Sequence, residues 1–158
     1  MEILARIETI VKKFTEKNLS IAIAESCTGG YISHMITNIS GASKIFERGI
    51  VTYSNQAKID LLNIDPITLE KKGAVSEEIA GQMALNVRII SKPCDIGIGI
   101  TGIAGPTGGT LEKPVGLVYI GFSMKESSFV EKCIFKTDRI SFKEEVLKKI
   151  VEFLEKIR

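Results

Sequence analysis

Ser20-Ile21-Ala22-Ile23-Ala24-Glu25-Ser26-Cys27-Thr28-Gly29-Gly30 is the stretch that decides the fold of this chain. Residues 20–24 form a short apolar run with the signature of a buried strand. The run stops at a polar, glycine-rich turn. Tyr31, Ile32, Met35, Ile36 and Ile39 then recur at helical spacing. A buried strand turning straight into a helix is a building unit of α/β proteins.

The pattern extends in both directions. Ile3, Leu4, Ile7, Ile10, Val11 and Phe14 predict an amphipathic helix over residues 2–17. Gly49 to Tyr53 reads as the next strand, and Asn55 as the cap of a short helix through Leu62. Pro66 opens a helical turn that stops near Gly73. Ser76, followed by Glu77 and Glu78, starts a helix to about Ile90, and Pro93 breaks the chain. Asp95 to Thr101 is a glycine-rich apolar strand, followed by a loop over 102–114 with four glycines and two prolines. Val115–Met124 and Phe129–Lys136 read as a hairpin around residues 125–127. Ser141 and Glu144 fit a capping box for a last helix over 142–157. This order predicts an α/β fold with a mixed, mostly parallel central sheet between layers of helices, as one domain over 1–158.

Bulk properties bound the function. The chain has 158 residues, 44% of them apolar, enough for one sizeable core. A net charge of +2 with interspersed signs argues against a dedicated nucleic-acid binder. No apolar run reaches the length of a membrane span, and residues 1–14 lack the features of a signal peptide, so the expected location is the cytoplasm. Three cysteines without a CxxC pair, and a single histidine (His34), make a disulfide framework or a structural metal site unexpected.

Open α/β sheets bind ligands beyond the carboxyl ends of their strands. Three segments fall there: 25–30, 53–58 and 101–109. In the first, Gly29 and Gly30 let a ligand approach the backbone, and the amides of a helix start favour an anion or developing oxyanion. Ser26 offers a hydroxyl nucleophile, although Ser26 or Thr28 would serve equally well as a plain N-cap. In the second, Lys58 falls in the first turn of a helix, where a cation opposes the helix dipole. A lysine swung into solvent is the ordinary explanation. With Tyr53 at the strand end, Ser26, Tyr53 and Lys58 would instead form a proton-transfer set without histidine. That chemistry needs a largely neutral Lys58, hence a pKa lowered from roughly 10.4. The third segment, around Thr101, Gly102, Ala104 and Gly105, looks like a phosphate cradle but lacks a Walker lysine. A mobile surface loop is the competing reading there. Cys27 reads as a packing residue before a thiolate.

Taken together, these stretches resemble the CinA carboxy-terminal-domain family, which includes nicotinamide-nucleotide amidohydrolases. The matching motifs are AESCTGG (24–30), ISGASKIFERGIVTYSNQAK (39–58), GAVSEE (73–78), TGIAGPTGG (101–109), EKPVG (112–116) and TDR (137–139), in family order and across nearly the whole chain. The resemblance implies a three-layer α/β/α sandwich. It implies hydrolysis of the carboxamide of nicotinamide mononucleotide to nicotinate mononucleotide and ammonia, in pyridine-nucleotide recycling, without metal or cofactor. Because the chain starts directly with this domain, it resembles the stand-alone form. Carried over, Ser26 is the catalytic serine, Lys58 and Tyr53 its proton-transfer partners, and Thr101 a site residue. Thr28, Gly29, Gly30, Ser43, Gly102, Ala104, Gly105 and Arg139 are the expected substrate contacts. The chain departs from the family where Thr137 stands in place of a frequent glycine, and where Ser141, Phe142 and Lys143 replace frequent arginines.

The expected partners are a small-molecule nucleotide and further copies of the chain, as a homodimer or higher homo-oligomer, with neither nucleic acid nor membrane. Two other functions compete. A non-catalytic nucleotide- or phosphate-binding regulatory module would need only the glycine turns. A nucleoside hydrolase would call for carboxylates, and Glu25 is the only acid in the three segments.

Overall fold

A computed structural model describes residues 2–91 and 94–158. The break expected at Pro93 lies outside the described residues. The elements run α1 (Ile3–Lys17), β1 (Ile21–Glu25), α2 (Tyr31–Thr37), a 3-10 turn (Ala42–Lys44), β2 (Phe46–Val51), α3 (Asn55–Leu62), α4 (Pro66–Lys72), α5 (Glu77–Ile90), β3 (Ile96–Gly102), β4 (Leu117–Ser123), β5 (Ser128–Ile134) and α6 (Arg139–Lys156). The strands form one sheet in the order β2-β1-β3-β4-β5.

β1 pairs in parallel with β2 on one side and β3 on the other; β4 and β5 join antiparallel. Parallel and antiparallel pairings are therefore equal in number, and the expectation of a mostly parallel sheet is corrected. The hairpin β4–β5 adds two antiparallel strands to a three-stranded parallel core.

All five residues of β1 are buried, because sheet neighbours flank it and helices cover both faces. Its alternation sorts the two cores. Ile21 and Ile23 face α1, α2 and α6, packing with Ile7, Phe14, Ile32 and Leu147. Ala22 and Ala24 face α3, α4 and α5, packing with Leu62, Leu69, Met83 and Val87. β3 repeats the pattern, with Ile96, Ile98 and Ile100 on the first face.

The glycines of β3 let α5 lie directly on the sheet. A Cβ at Gly97 would run into the Ala84 carbonyl, and one at Gly99 would meet the Ala84 amide nitrogen at 2.5 Å. The run Gly97–Gly102 matches a dinucleotide fingerprint only by coincidence of spacing; here it is a packing floor inside a strand.

Two helix starts differ from the sequence expectation. Ser54 caps α3, its hydroxyl accepting from the Ala57 amide at 3.0 Å, while Asn55 is the first helical residue. Asp138 caps α6, taking the Ile140 and Ser141 amides, both at 3.0 Å, and the Ser141 hydroxyl at 2.6 Å. α6 thus begins at Arg139 rather than 142, and Ser141 donates to the cap. An acid is the better cap because charge adds to the hydrogen bond at the positive helix end.

Replacing Gly97 by alanine should destabilise the fold by about 2–3 kcal/mol, since the added methyl meets backbone that cannot rotate away. Thermal or denaturant unfolding would show it; a midpoint equal to wild type would contradict the close approach of α5.

Candidate active site

β1 ends at Glu25, and Ser26 follows at the carboxyl end of the sheet. The Ser26 amide donates to the Ile100 carbonyl at 3.1 Å, so the turn starts as a continuation of the β1–β3 ladder. The chain leaves β1 through α2 to reach β2 on one side, then returns through α3–α5 to β3 on the other. That reversal opens a crevice at the strand ends, where ligands bind in open α/β sheets.

Lys58 reaches this crevice from α3. Helical side chains slant towards the helix N-terminus, so Lys58 extends back over the end of β2. Its Nζ donates to the Thr52 carbonyl at 2.8 Å and lies 3.0 Å from Ser26 Oγ, also as donor in the charged state. Ser26 is 8% exposed and Lys58 only 1%. Burial pushes the Lys58 pKa below its ordinary value. No acid lines the crevice among the described residues, so the ammonium form gains no compensating charge. A serine hydroxyl against a desolvated amine is the geometry of an activated nucleophile and its base.

The crevice has a volume of about 260 Å³. Ser26, Cys27, Tyr53, Lys58, Thr101, Gly102, Ala104, Gly105 and Arg139 all line it. Thr101 is buried and donates to the Ala74 carbonyl at 2.7 Å. Tyr53 and Arg139 sit at the mouth. One arm of the Arg139 guanidinium donates to the Gly105 carbonyl at 2.8 Å, the other to the Tyr53 hydroxyl at 2.9 Å. Tyr53 is 62% exposed and holds no hydrogen bond to Ser26 or Lys58. The proton-transfer set expected from the sequence therefore contracts, in this structure, to Ser26 and Lys58.

Thr28, Gly29, Gly30 and Ser43 lie outside the crevice lining. Thr28 is fully buried, and its hydroxyl donates to Glu25 Oε2 at 2.6 Å. The Gly30 amide is taken by Glu25 Oε2 at 3.0 Å, and the Gly29 amide by the Ser26 carbonyl at 3.0 Å. The free amides expected at 29–30 are thus spent within the protein. In the turn 27–30, only the Cys27 and Thr28 amides take no oxygen acceptor among the described residues. Ser43 is exposed on the 3-10 turn before β2, at the end of the sheet away from the crevice. Cys27 is buried and its thiol is pushed up to about 12, chiefly by burial, which removes it as a thiolate. His34 is exposed on α2 and away from the crevice lining.

Sequence reasoning covered Asn55, Ile103, Thr107 and Gly108 only as members of the expected segments, without singling them out as site residues, and missed Ala74, Val75 and the Thr52 carbonyl as the second partner of Lys58. A backbone carbonyl leaves no trace in residue type. Asn55 was visible as a polar residue beside Tyr53, but its reading as a helix cap absorbed it.

Residues 4–157 match the family described as "CinA C-terminal domain", and the chain belongs to that family. It is 52% identical over 132 residues to a competence-damage inducible protein of Thermoanaerobacter sp. (strain X514), covering 84% of this chain and 32% of that one. It is 49% identical over 151 residues to a protein of the same name from Clostridium tetani (strain Massachusetts / E88), covering 95% of this chain and 37% of the other. The chain thus spans about a third of the length of these curated relatives. The crystal structure of the competence/damage inducible protein CihA from Agrobacterium tumefaciens superposes with a TM-score of 0.92 at 36% identity, covering 96% of this chain and 93% of that one. No helix among the described residues is long and apolar enough to cross a membrane.

The lowered Lys58 pKa fixes the sign of a pH dependence. Only the neutral amine can accept the Ser26 proton, so Ser26 reactivity should rise with pH through an inflection below 10.5. The rate of Ser26 labelling by a fluorophosphonate, followed by mass spectrometry from pH 6 to 10, would show it. A flat profile would remove Lys58 as the base.

Proposed function

We propose that this domain is an amidase that hydrolyses the carboxamide of nicotinamide mononucleotide to nicotinate mononucleotide and ammonia. The observation that carries the reading is the 3.0 Å approach of the buried Lys58 amine to Ser26 Oγ. The motif resemblance across the chain supplies the substrate.

Neutral Lys58 takes the Ser26 proton as Oγ attacks the carboxamide carbon. The carbonyl π electrons move to oxygen, giving a tetrahedral oxyanion. The Cys27 and Thr28 amides are the donors of the turn still open to it. As the intermediate collapses, the C–N bond breaks and Lys58 returns its proton to the leaving nitrogen, releasing ammonia. Water, deprotonated by Lys58, then attacks the acyl ester, frees the carboxylate and restores the Ser26 hydroxyl. The cycle needs no histidine, and the one histidine present lies elsewhere.

A volume of 260 Å³ suits the pyridine ring and its carboxamide, with ribose and phosphate lying across the mouth. Arg139 is the cation at that mouth. The amide end of α2 is closed to the phosphate because Glu25 already fills it.

Incubation of the purified protein with the mononucleotide, followed by mass spectrometry, should show a product heavier by one mass unit and stoichiometric ammonia. Release of free nicotinamide would instead indicate glycosidic cleavage, and tight binding without turnover a binding module. Ser26→Ala should lower kcat by roughly 10³-fold or more with the fold intact. Lys58→Met should lower kcat by roughly 10²–10⁴-fold with KM little changed; a rise in KM alone would make Lys58 a binding residue. Arg139→Met should raise KM while leaving kcat within a few-fold.

A further inference from the structure

Glu25 directly precedes Ser26 and is fully buried. Among the described residues no cation pairs with it. Its carboxylate instead accepts five hydrogen bonds from the start of α2. Oε2 takes the Thr28 hydroxyl at 2.6 Å, the Gly30 amide at 3.0 Å and the Ile32 amide at 3.2 Å. Oε1 takes the Ser33 amide at 2.8 Å and the Ser33 hydroxyl at 2.7 Å. A buried charge is tolerable only with such complete satisfaction. Only an ionised carboxylate is acceptor-only on both oxygens; a carboxamide would turn its own N–H groups towards donors.

The backbone of Glu25 is fixed as well. It sits in register between Val51 of β2 and Ile100 of β3, and its carbonyl accepts from the Thr52 amide at 2.8 Å. Main chain and side chain of one residue therefore tie three objects together: the sheet, the α2 start and the segment carrying the Thr52 carbonyl. Ser26 hangs between them, its amide on Ile100 and its carbonyl on the Gly29 amide. Lys58 is anchored to Thr52. The Ser26–Lys58 distance is thus set by two segments that meet at Glu25.

The geometry points to Glu25 as the positioning residue of the Ser26 centre, a built-in anion that folds the 26–33 segment around itself and holds Ser26 against Lys58. It lies outside the crevice lining, makes no hydrogen bond to Lys58 and acts through the serine. This deepens the amidase reading and rests on Ser26 being the nucleophile.

The test uses fluorophosphonate labelling of Ser26, which needs no knowledge of the natural substrate, together with kinetics on nicotinamide mononucleotide. Glu25→Asp keeps the charge but shortens its reach by one methylene. Its labelling rate per folded molecule should fall roughly 10–100-fold, the scale of a displacement near 1 Å. The pH midpoint should stay at the wild-type value, because Lys58 remains buried. With the mononucleotide, kcat should fall in parallel and KM should hold within about threefold. Thr28→Val leaves the carboxylate four donors and should give a smaller fall of the same kind; it decides the matter if Glu25→Asp does not fold. Wild-type labelling per folded molecule in the variant that folds, or a rise in KM at unchanged kcat, would overturn the positioning role. A wild type that labels at Ser26 but leaves the mononucleotide intact would sink the substrate assignment and leave the Glu25 result standing. A wild type that does not label would overturn both.

Discussion

A lysine amine is held out of water with no carboxylate opposite it, and the carboxyl end of the sheet is arranged around that constraint. Full burial costs the charged form of Lys58 its hydration. Its two contacts, the Thr52 carbonyl and the Ser26 hydroxyl, are neutral dipoles that offset only part of that cost. A stable core would place a leucine or methionine there. The position in the first turn of α3 compounds the penalty, since the positive helix end repels a cation. Strain of this kind is tolerated where a neutral amine has chemical use, and it leads from an unfavourable residue to a reactive neighbour.

The site divides its labour by burial. Ser26, Lys58 and Thr101 lie inside, bonded to backbone carbonyls or to one another. Tyr53 and Arg139 lie outside, joined across the mouth and linked to the 102–109 loop through Gly105. Inner groups are held by the sheet ends and by α3, outer ones by the start of α6 and the segment between β2 and α3. The interior residues and the rim residues then answer to different elements, and a change at the rim need not disturb the interior pair.

Much of this was legible in the sequence, and the failures share a cause. Strand β1, helix α2 and the crevice at 25–30, 53–58 and 101–109 follow from periodicity and from where α/β sheets bind ligands. Lys58 stood out because its place in a helix was electrostatically poor. What could not be read were three-dimensional satisfactions of polar groups. Glu25 takes amides up to eight residues away, so the glycine turn that looked open to a ligand is closed. Tyr53 turns to Arg139, 86 residues on. The Ser141/Glu144 spacing mimics a capping box, but Asp138 takes the amides, so α6 begins three residues earlier than the pattern predicts. Ser43 lies in a motif shared with the family, yet chain proximity says nothing about which end of a strand a turn adorns.

The central position of β1 has a consequence for how the molecule comes into being. β1 has no sequence neighbour within hairpin reach. Its partner β3 begins 75 residues after it, as the register Ile21↔Ile96 shows, whereas β4 and β5 are joined by a short turn. Closing so long a loop costs entropy before any contact rewards it. The hairpin and α6 can gather locally, but the crevice needs the β1–β3 ladder, because Ser26 hangs on Ile100. The Ser26–Lys58 contact therefore belongs to the non-local part of the topology, and a partly folded chain, however much helix and hairpin it holds, does not bring the two side chains together.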